Sequence, residues 1–201
     1  MSHARFIAVV GGSGSGKSWL TTKIQETLGQ EAGILSLDDF YRDLRHVSEE
    51  ARNQVNFDDP AAIDWDALRE VLACLERGES ARIPIYDFAT HTRCAEIRHL
   101  SPSRLIVLDG LWLLHHEWLR EKFAFSVFID CPTAERMRRR IERDVRTRGR
   151  SVDSVIRQFE CHVQPMHELY VEPQRRWASH CVNSPMTESD QSDLVAACAG
   201  I

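Results

Sequence analysis

Eight consecutive residues, Gly11-Gly12-Ser13-Gly14-Ser15-Gly16-Lys17-Ser18, have the types and spacing to hold a chain of phosphates. They fit the pattern of a glycine, four residues and then Gly-Lys-Ser. Glycines tolerate positive φ, so the backbone can turn its N–H groups inward around an anion. A helix starting where the loop ends adds partial positive charge at the same point. Lys17 can reach the β- and γ-phosphates, and the Ser18 hydroxyl can ligate Mg²⁺. The flanks agree: Phe6, Ile7, Ala8, Val9 and Val10 suit a buried parallel strand, and residues 19–28 suit a helix. A glycine-rich turn without a ligand would match the bare pattern, but strand, loop and helix in this order predict nucleotide binding.

Acids recur where such a loop needs them. A strand predicted over 33–37 runs into Asp38 and Asp39, and a buried strand over 104–108 runs into Asp109 and Gly110. In an open α/β sheet, ligands bind beyond the carboxyl ends of the strands. Asp109 has the position of the carboxylate that holds Mg²⁺, or its water, opposite the loop serine. Asp38 and Asp39 are placed so that at least one is a site candidate; capping a helix or facing solvent is the alternative for such a pair.

A third group is cationic. Arg136, Arg138, Arg139, Arg140, Arg143, Arg146, Arg148 and Arg150 crowd one predicted helix and its end, with only Glu135, Glu142 and Asp144 among them. A solvated face laced with ion pairs is one reading. A clamp that closes over a triphosphate is the sharper one. Nucleic-acid binding is disfavoured, because no aromatic residue interleaves with the arginines and the chain's net charge is −5.

These groups need a scaffold, and strand-like and helix-like segments alternate along the chain. The pattern predicts an α/β fold: a parallel sheet covered by helices on both faces, with a small β-hairpin lid. Asn56-Phe57-Asp58-Asp59-Pro60 reads as a helix start, Asp59 as N-cap and Pro60 in the first turn. Leu68, Val71, Leu72 and Leu75 then recur at helical spacing as core, and Gly78 stops the helix. Extended pieces over 82–88 and 93–100 form the hairpin, with Pro84 keeping the first off a central strand position. Tyr86, Asp87, Phe88 and His91 cluster there; singly, such a phenylalanine is usually core and such a histidine surface. Another short strand covers 126–129. A helix is expected over 151–163, with Val152, Val155, Ile156, Phe159 and Val163 on one face and Pro165 interrupting it. A last strand lies near Val182, and the tail 183–201 is either a short helix or partly disordered. We expect one domain over 1–201, with the hairpin about 82–100 and an arginine-rich lid about 136–150.

Composition bounds the rest. A chain of 201 residues with 43% hydrophobic content suits one globular domain with a sizeable core. No apolar run is long enough to span a bilayer, and the first strand starts too early to leave room for a signal peptide. The six cysteines are scattered without a Cys-x-x-Cys pair, against a zinc site or disulfide framework and in favour of reduced thiols in a cytoplasmic protein.

Taken in order, several motifs make the chain resemble the uridine kinase (uridine–cytidine kinase) family. They are the phosphate loop; Ser36-Leu37-Asp38-Asp39-Phe40-Tyr41-Arg42; Asn56 to Pro60; Pro84-Ile85-Tyr86-Asp87-Phe88-Ala89-Thr90-His91-Thr92-Arg93; Arg139-Arg140-Ile141-Glu142-Arg143-Asp144; Arg148-Gly149-Arg150; and Gln164-Pro165-Met166-His167 with Glu172-Pro173. The loop alone names only a superfamily; the Tyr86–His91 motif with Arg148-Gly149-Arg150 is far more specific. The resemblance covers about 6–182. It implies phosphorylation of the 5′-hydroxyl of uridine or cytidine with ATP (or GTP) as donor and Mg²⁺. It implies that Asp38 orients or deprotonates that hydroxyl and that Lys17 and Arg140 reach the phosphates. Asp58 would hold the ribose with Arg143, and Tyr86, Phe88 and His91 would embrace the base. Arg148, Arg150 and Gln158 would complete the substrate side, and Ser18 with Asp109 would hold the metal. A nucleoside is the implied partner, without nucleic acid or membrane, and a homo-oligomer stays open. Three departures stand out: Asp109 where glutamate is usual, Asp59 where histidine is common, and Trp19 where a small polar residue is usual, the last expected to act on helix packing.

Two other readings remain in view. A related kinase acting on nicotinamide riboside or a sugar phosphate would share the loop and Asp38. A GTP-binding switch would carry Asn-Lys-x-Asp and Asp-x-x-Gly motifs, and neither occurs here.

Overall fold

The computed structural model describes residues 4–52 and 54–201; of the expected span 1–201, residues 1–3 and 53 lie outside this description. The strands, in chain order, are β1 (Arg5–Gly11), β2 (Ala32–Ser36), β3 (Ala81–Asp87), β4 (Thr92–Leu100), β5 (Leu105–Gly110), β6 (Phe123–Asp130) and β7 (His180–Asn183). Five of them form one sheet in the order β2-β5-β1-β6-β7, with every pairing parallel. Register brings the chemistry to one edge, since Asp109 on β5 lies level with both Val9 on β1 and Ser36 on β2. The phosphate loop, Asp38 and Asp109 therefore leave the sheet side by side.

The central strands are apolar throughout because both sheet faces are covered. Phe6, Ala8, Val10, Ile106 and Leu108 face one layer with Leu68, Val71, Leu72 and Leu75 of α3 (Trp65–Glu76). Ile7, Val9, Leu105 and Val107 face the other, with Leu20 and Ile24 of α1 (Lys17–Leu28) and Leu194 and Cys198 of α8 (Glu188–Ala199). Single turns α2 (Glu49–Arg52) and α4 (Glu117–Arg120) lie in the connections. The tail is thus helical from Glu188, and Thr187 and Asp190 close a reciprocal capping box at its start.

Strands β3 and β4 form the separate antiparallel hairpin. Pro84 pairs in it, which a two-stranded ribbon permits because each strand keeps a free edge. Arginines of β4 tie the hairpin to the turn after β2: Arg93 Nε donates to the Tyr41 carbonyl at 3.0 Å, and Arg98 pairs with Asp39 at 3.0 Å.

Two expectations about helices change. Asp59 does cap a turn, accepting from Ala61 N at 2.8 Å, but the turn ends at Ala62; α3 starts afresh at Trp65 under its own cap, Asp64. Pro165 does not interrupt its helix. After α5 (Thr133–Arg148), α6 (Val152–Gln158) passes into a π turn (Phe159–Val163), α7 (Gln164–Met166), a second π turn (His167–Val171) and a 3-10 stretch (Glu172–Trp177). The widened turns on either side shift the hydrogen-bond partners and so absorb a residue without an N–H. Val152, expected on the apolar face, is exposed.

Candidate active site

The loop takes its shape from glycine where no other residue fits. Gly14 has φ 81°, and a Cβ there would meet the Arg136 carbonyl oxygen at 2.5 Å. Gly16, at φ 102°, is the left-handed residue from which α1 starts. Lys17 Nζ donates to the carbonyls of Gly11 and Gly12, both at 3.0 Å, so its ammonium is folded back over the loop. Burial lowers the Lys17 pKa, opposed by the charges of Asp109 and Asp38. Ser18 Oγ donates to Asp109 Oδ2 at 2.7 Å, and Asp109 Oδ1 is buried without a hydrogen-bond partner. A hydroxyl and a carboxylate with a spare oxygen form the hard-oxygen pair that Mg²⁺ takes alongside phosphate oxygens.

A cavity of about 300 Å³ opens from this loop. Of the expected site residues, Ser13, Gly14, Gly16, Lys17, Ser18, Asp38, Asp58 and Asp109 line it. So do Tyr86, Phe88, His91, Arg140, Arg143, Arg148, Arg150 and Gln158. Gly11, Gly12 and Ser15 do not; the Ser15 side chain is buried behind the loop.

The adjacent acids divide. Asp38 lines the cavity while Asp39 is committed to Arg98. Burial raises the Asp38 pKa and the charge of Asp109 adds to it, whereas Lys17, Arg143 and Arg148 pull it down. Burial likewise raises that of Asp58, against the pull of Arg140, whose Nη1 lies 4.0 Å away.

The hairpin supplies the flat surfaces. Tyr86 and Phe88 meet edge to face at 5.2 Å. His91 adopts φ 55°, unusual for a non-glycine residue, and its ring stacks on Phe57 at 4.0 Å and 11°. Burial and the charges of Arg148 and Arg150 lower the His91 pKa, which keeps the ring neutral near pH 7. Tyr86 OH and His91 Nδ1 are both buried without a hydrogen-bond partner. Both residues line the cavity, which puts these two atoms within reach of a ligand or of water.

Helix α5 has two faces. Arg138 lies outward in ion pairs with Glu135 and Glu142, as a solvated face would. Arg140, Arg143 and Arg148 converge inward on Asp144 at 3.5, 2.8 and 3.5 Å. Burial acts to raise the Asp144 carboxyl, but the Arg143 hydrogen bond and the arginine charges hold it below its usual range. Arg140 also donates to Ser13 Oγ at 2.8 Å and to Gln158 Oε1 at 3.0 Å, and Arg150 donates to the same Gln158 oxygen. The Arg148 guanidinium sits 4.6 Å over the Phe88 ring, joining the arginine group to the aromatic one.

A nucleotide loop, a metal-competent carboxylate, a second buried acid and an aromatic box thus share one cavity. The family model described as Phosphoribulokinase / Uridine kinase family matches residues 6–189. The chain belongs to that family. A protein named uridine kinase from Deinococcus deserti is 42% identical over 192 residues, covering 95% of this chain and 93% of that one. One of the same name from Staphylococcus aureus is 36% identical over 179 residues, covering 89% and 86%. Among solved structures, a D-glycerate 3-kinase from Cryptococcus neoformans superposes with a TM-score of 0.70 at 18% identity, covering 93% and 88%, a likeness of fold. Members of this family are phosphotransferases, and this chain is one; no helix among its described residues is long and apolar enough to cross a membrane.

Sequence reasoning passed over three residues of the site. Phe57 lay inside a quoted motif but its stacking partner is 34 positions away; Asp144 was signalled only as an acid at i+4 from Arg140 and i−4 from Arg148. Trp19, expected to pack its helix, is instead 44% exposed and lines the cavity.

Proposed function

We propose that this chain transfers the γ-phosphoryl group of ATP to the 5′-hydroxyl of uridine or cytidine, giving ADP and UMP or CMP. The observation that carries the acceptor assignment is the pair of unsatisfied buried atoms, Tyr86 OH and His91 Nδ1, beside aromatic faces in the phosphate-loop cavity. A pyrimidine offers a flat ring and hydrogen-bonding edges, the complement of that box. The names of the relatives support the same acceptor.

In this scheme Asp38 receives the proton of the 5′-hydroxyl as the oxygen forms its bond to the γ-phosphorus and the bond to the β,γ-bridging oxygen breaks. A carboxylate with a raised pKa is a stronger base than an ordinary one. Lys17 and Arg140 neutralise charge on the transferring group and the departing diphosphate. Asp58 accepts from the ribose hydroxyls, with Arg143 alongside, while Arg148, Arg150 and Gln158 close the substrate side. Ser18 and Asp109 would hold Mg²⁺, which supplies charge neutralisation on the donor phosphates. The scattered spacing of the six cysteines, without a Cys-x-x-Cys pair, supports a reducing, cytoplasmic setting.

The test is ADP release with ATP and Mg²⁺ against uridine, cytidine, adenosine, guanosine and nicotinamide riboside. Turnover confined to the pyrimidine nucleosides, with 5′-monophosphate products, is expected. Turnover of nicotinamide riboside in their place would remove the pyrimidine assignment and leave the loop and Asp38.

A further inference from the structure

Trp19 lines the cavity without a role in the scheme above. It is 44% exposed, lies in the first turn of α1 directly after Ser18, and among the described residues its indole makes no hydrogen bond and no ring contact. Helical side chains lean toward the N-terminus, which turns this ring toward the loop. The aromatic residues of the acceptor box behave differently. Phe57, Tyr86, Phe88 and His91 touch one another at 4.0–6.5 Å, and Trp19 touches none of them.

A nucleoside triphosphate on the loop has one flat apolar part, its base, and the exposed indole of Trp19 is a flat apolar side chain on the cavity's loop side. Arg139 stands on that same side: its Nη1 is 3.4 Å from the Gly14 and Ser15 carbonyls and 2.9 Å from Ser184 Oγ. We propose that the indole of Trp19 is a stacking face for the base of the donor nucleotide, so that it governs donor affinity and leaves the acceptor untouched. The proposal rests on the kinase assignment for its donor but not on uridine as acceptor.

The test compares the wild type with Trp19→Ala and Trp19→Phe, titrated by calorimetry with Mg-ATP and separately with Mg-tripolyphosphate, without any nucleoside acceptor. Losing a stacked base contact predicts an ATP Kd about tenfold higher for Trp19→Ala. Trp19→Phe should restore most of the affinity, and the tripolyphosphate Kd should not change in either variant. An unchanged ATP Kd, or an equal loss for tripolyphosphate, overturns the proposal; the latter would mean that Trp19 shapes the loop itself. Because no acceptor is present, a protein that binds ATP through Trp19 yet does not phosphorylate uridine loses only the acceptor assignment. One that makes UMP with an unaltered ATP Kd in Trp19→Ala loses only this inference.

Discussion

The two ends of the cavity are built by opposite strategies. The end proposed for the donor is one stretch of eight residues, bent by glycine, with Lys17 bonded to carbonyls five and six positions back. The end proposed for the acceptor draws on the turn after β2, the Asp58 turn, the hairpin, α5 and α6, joined by side chains from far apart in sequence. What is contiguous can be specified by local sterics. What is assembled depends on arginines, held by Asp144 on one side and by Asp39 and Asp64 on the other. The acceptor end should therefore be the part that mutation disturbs without touching ATP binding.

The largest expected effect isolates chemistry from both ends. Asp38→Asn should lower kcat by about 10²–10⁴-fold while ATP affinity stays near normal, measured by steady-state turnover and by nucleotide titration. Near-wild-type turnover would overturn the role given to Asp38.

Next comes the hub of the assembled end. Asp144→Ala removes the nearer of the two carboxylates paired with buried Arg140, leaving Asp58 at 4.0 Å, and frees Arg143 and Arg148. Breaking a buried pair costs about 3 kcal/mol here, the low end of the range because two partners are part-exposed. For a chain of this size that lowers the unfolding midpoint by roughly 6–12 °C by calorimetry. A midpoint shift below about 2 °C would mean the arginines find other partners.

His91→Ala probes the acceptor end alone. It removes a stacked ring and a hydrogen-bond partner, so nucleoside KM should rise about tenfold with ATP KM unchanged. Equal losses for both substrates would make His91 a structural support of the hairpin.

The smallest effect belongs to the donor end and is a pH dependence. His167 lies behind the loop, where a Cβ on Gly12 would meet its Nδ1 at 2.8 Å. Burial, with the charges of Arg136 and Lys17, lowers its pKa to about 4. An unfolded histidine titrates near 6.5. Between those values the unfolded state binds more protons, so this residue makes stability fall as pH drops from about 6.5 to about 4, with no contribution above that window. His167→Gln should reduce the slope of unfolding free energy against pH in that window and leave nucleoside KM alone. An unaltered slope would show that His167 is not the titrating group.

Legibility in the sequence follows the same division. The loop, the parallel sheet and the strand-end acids, Asp109 and the pair Asp38-Asp39, could be read because each depends on a few neighbouring residues. The covered sheet explains why β1 and β5 read as unbroken apolar runs. The start of α3 differs because Asp59-Pro60 and Asp64 are both good helix starts locally, and in the fold Asp64 N donates to the Phe40 carbonyl at 2.8 Å while α3 packs into the core. Pro165 was read as a break because π turns have no local sequence signal. The arginine cluster is legible in its local density on one helix, but the roles of single arginines and the aromatic box come from the family resemblance, since nothing local states that Phe57 meets His91.

By itself the sequence determined the nucleotide loop, the α/β class and the residue types available to the site, because backbone sterics and hydrophobic period act over a few residues. The tertiary structure alone decided that Asp38, and not Asp39, faces the cavity. It alone turned one face of α5 to solvent and the other onto Asp144, and left Trp19 unpacked beside the loop. Those outcomes depend on which surfaces meet when the hairpin and the helices close on the sheet, and burial, not residue type, gives each charge its partner.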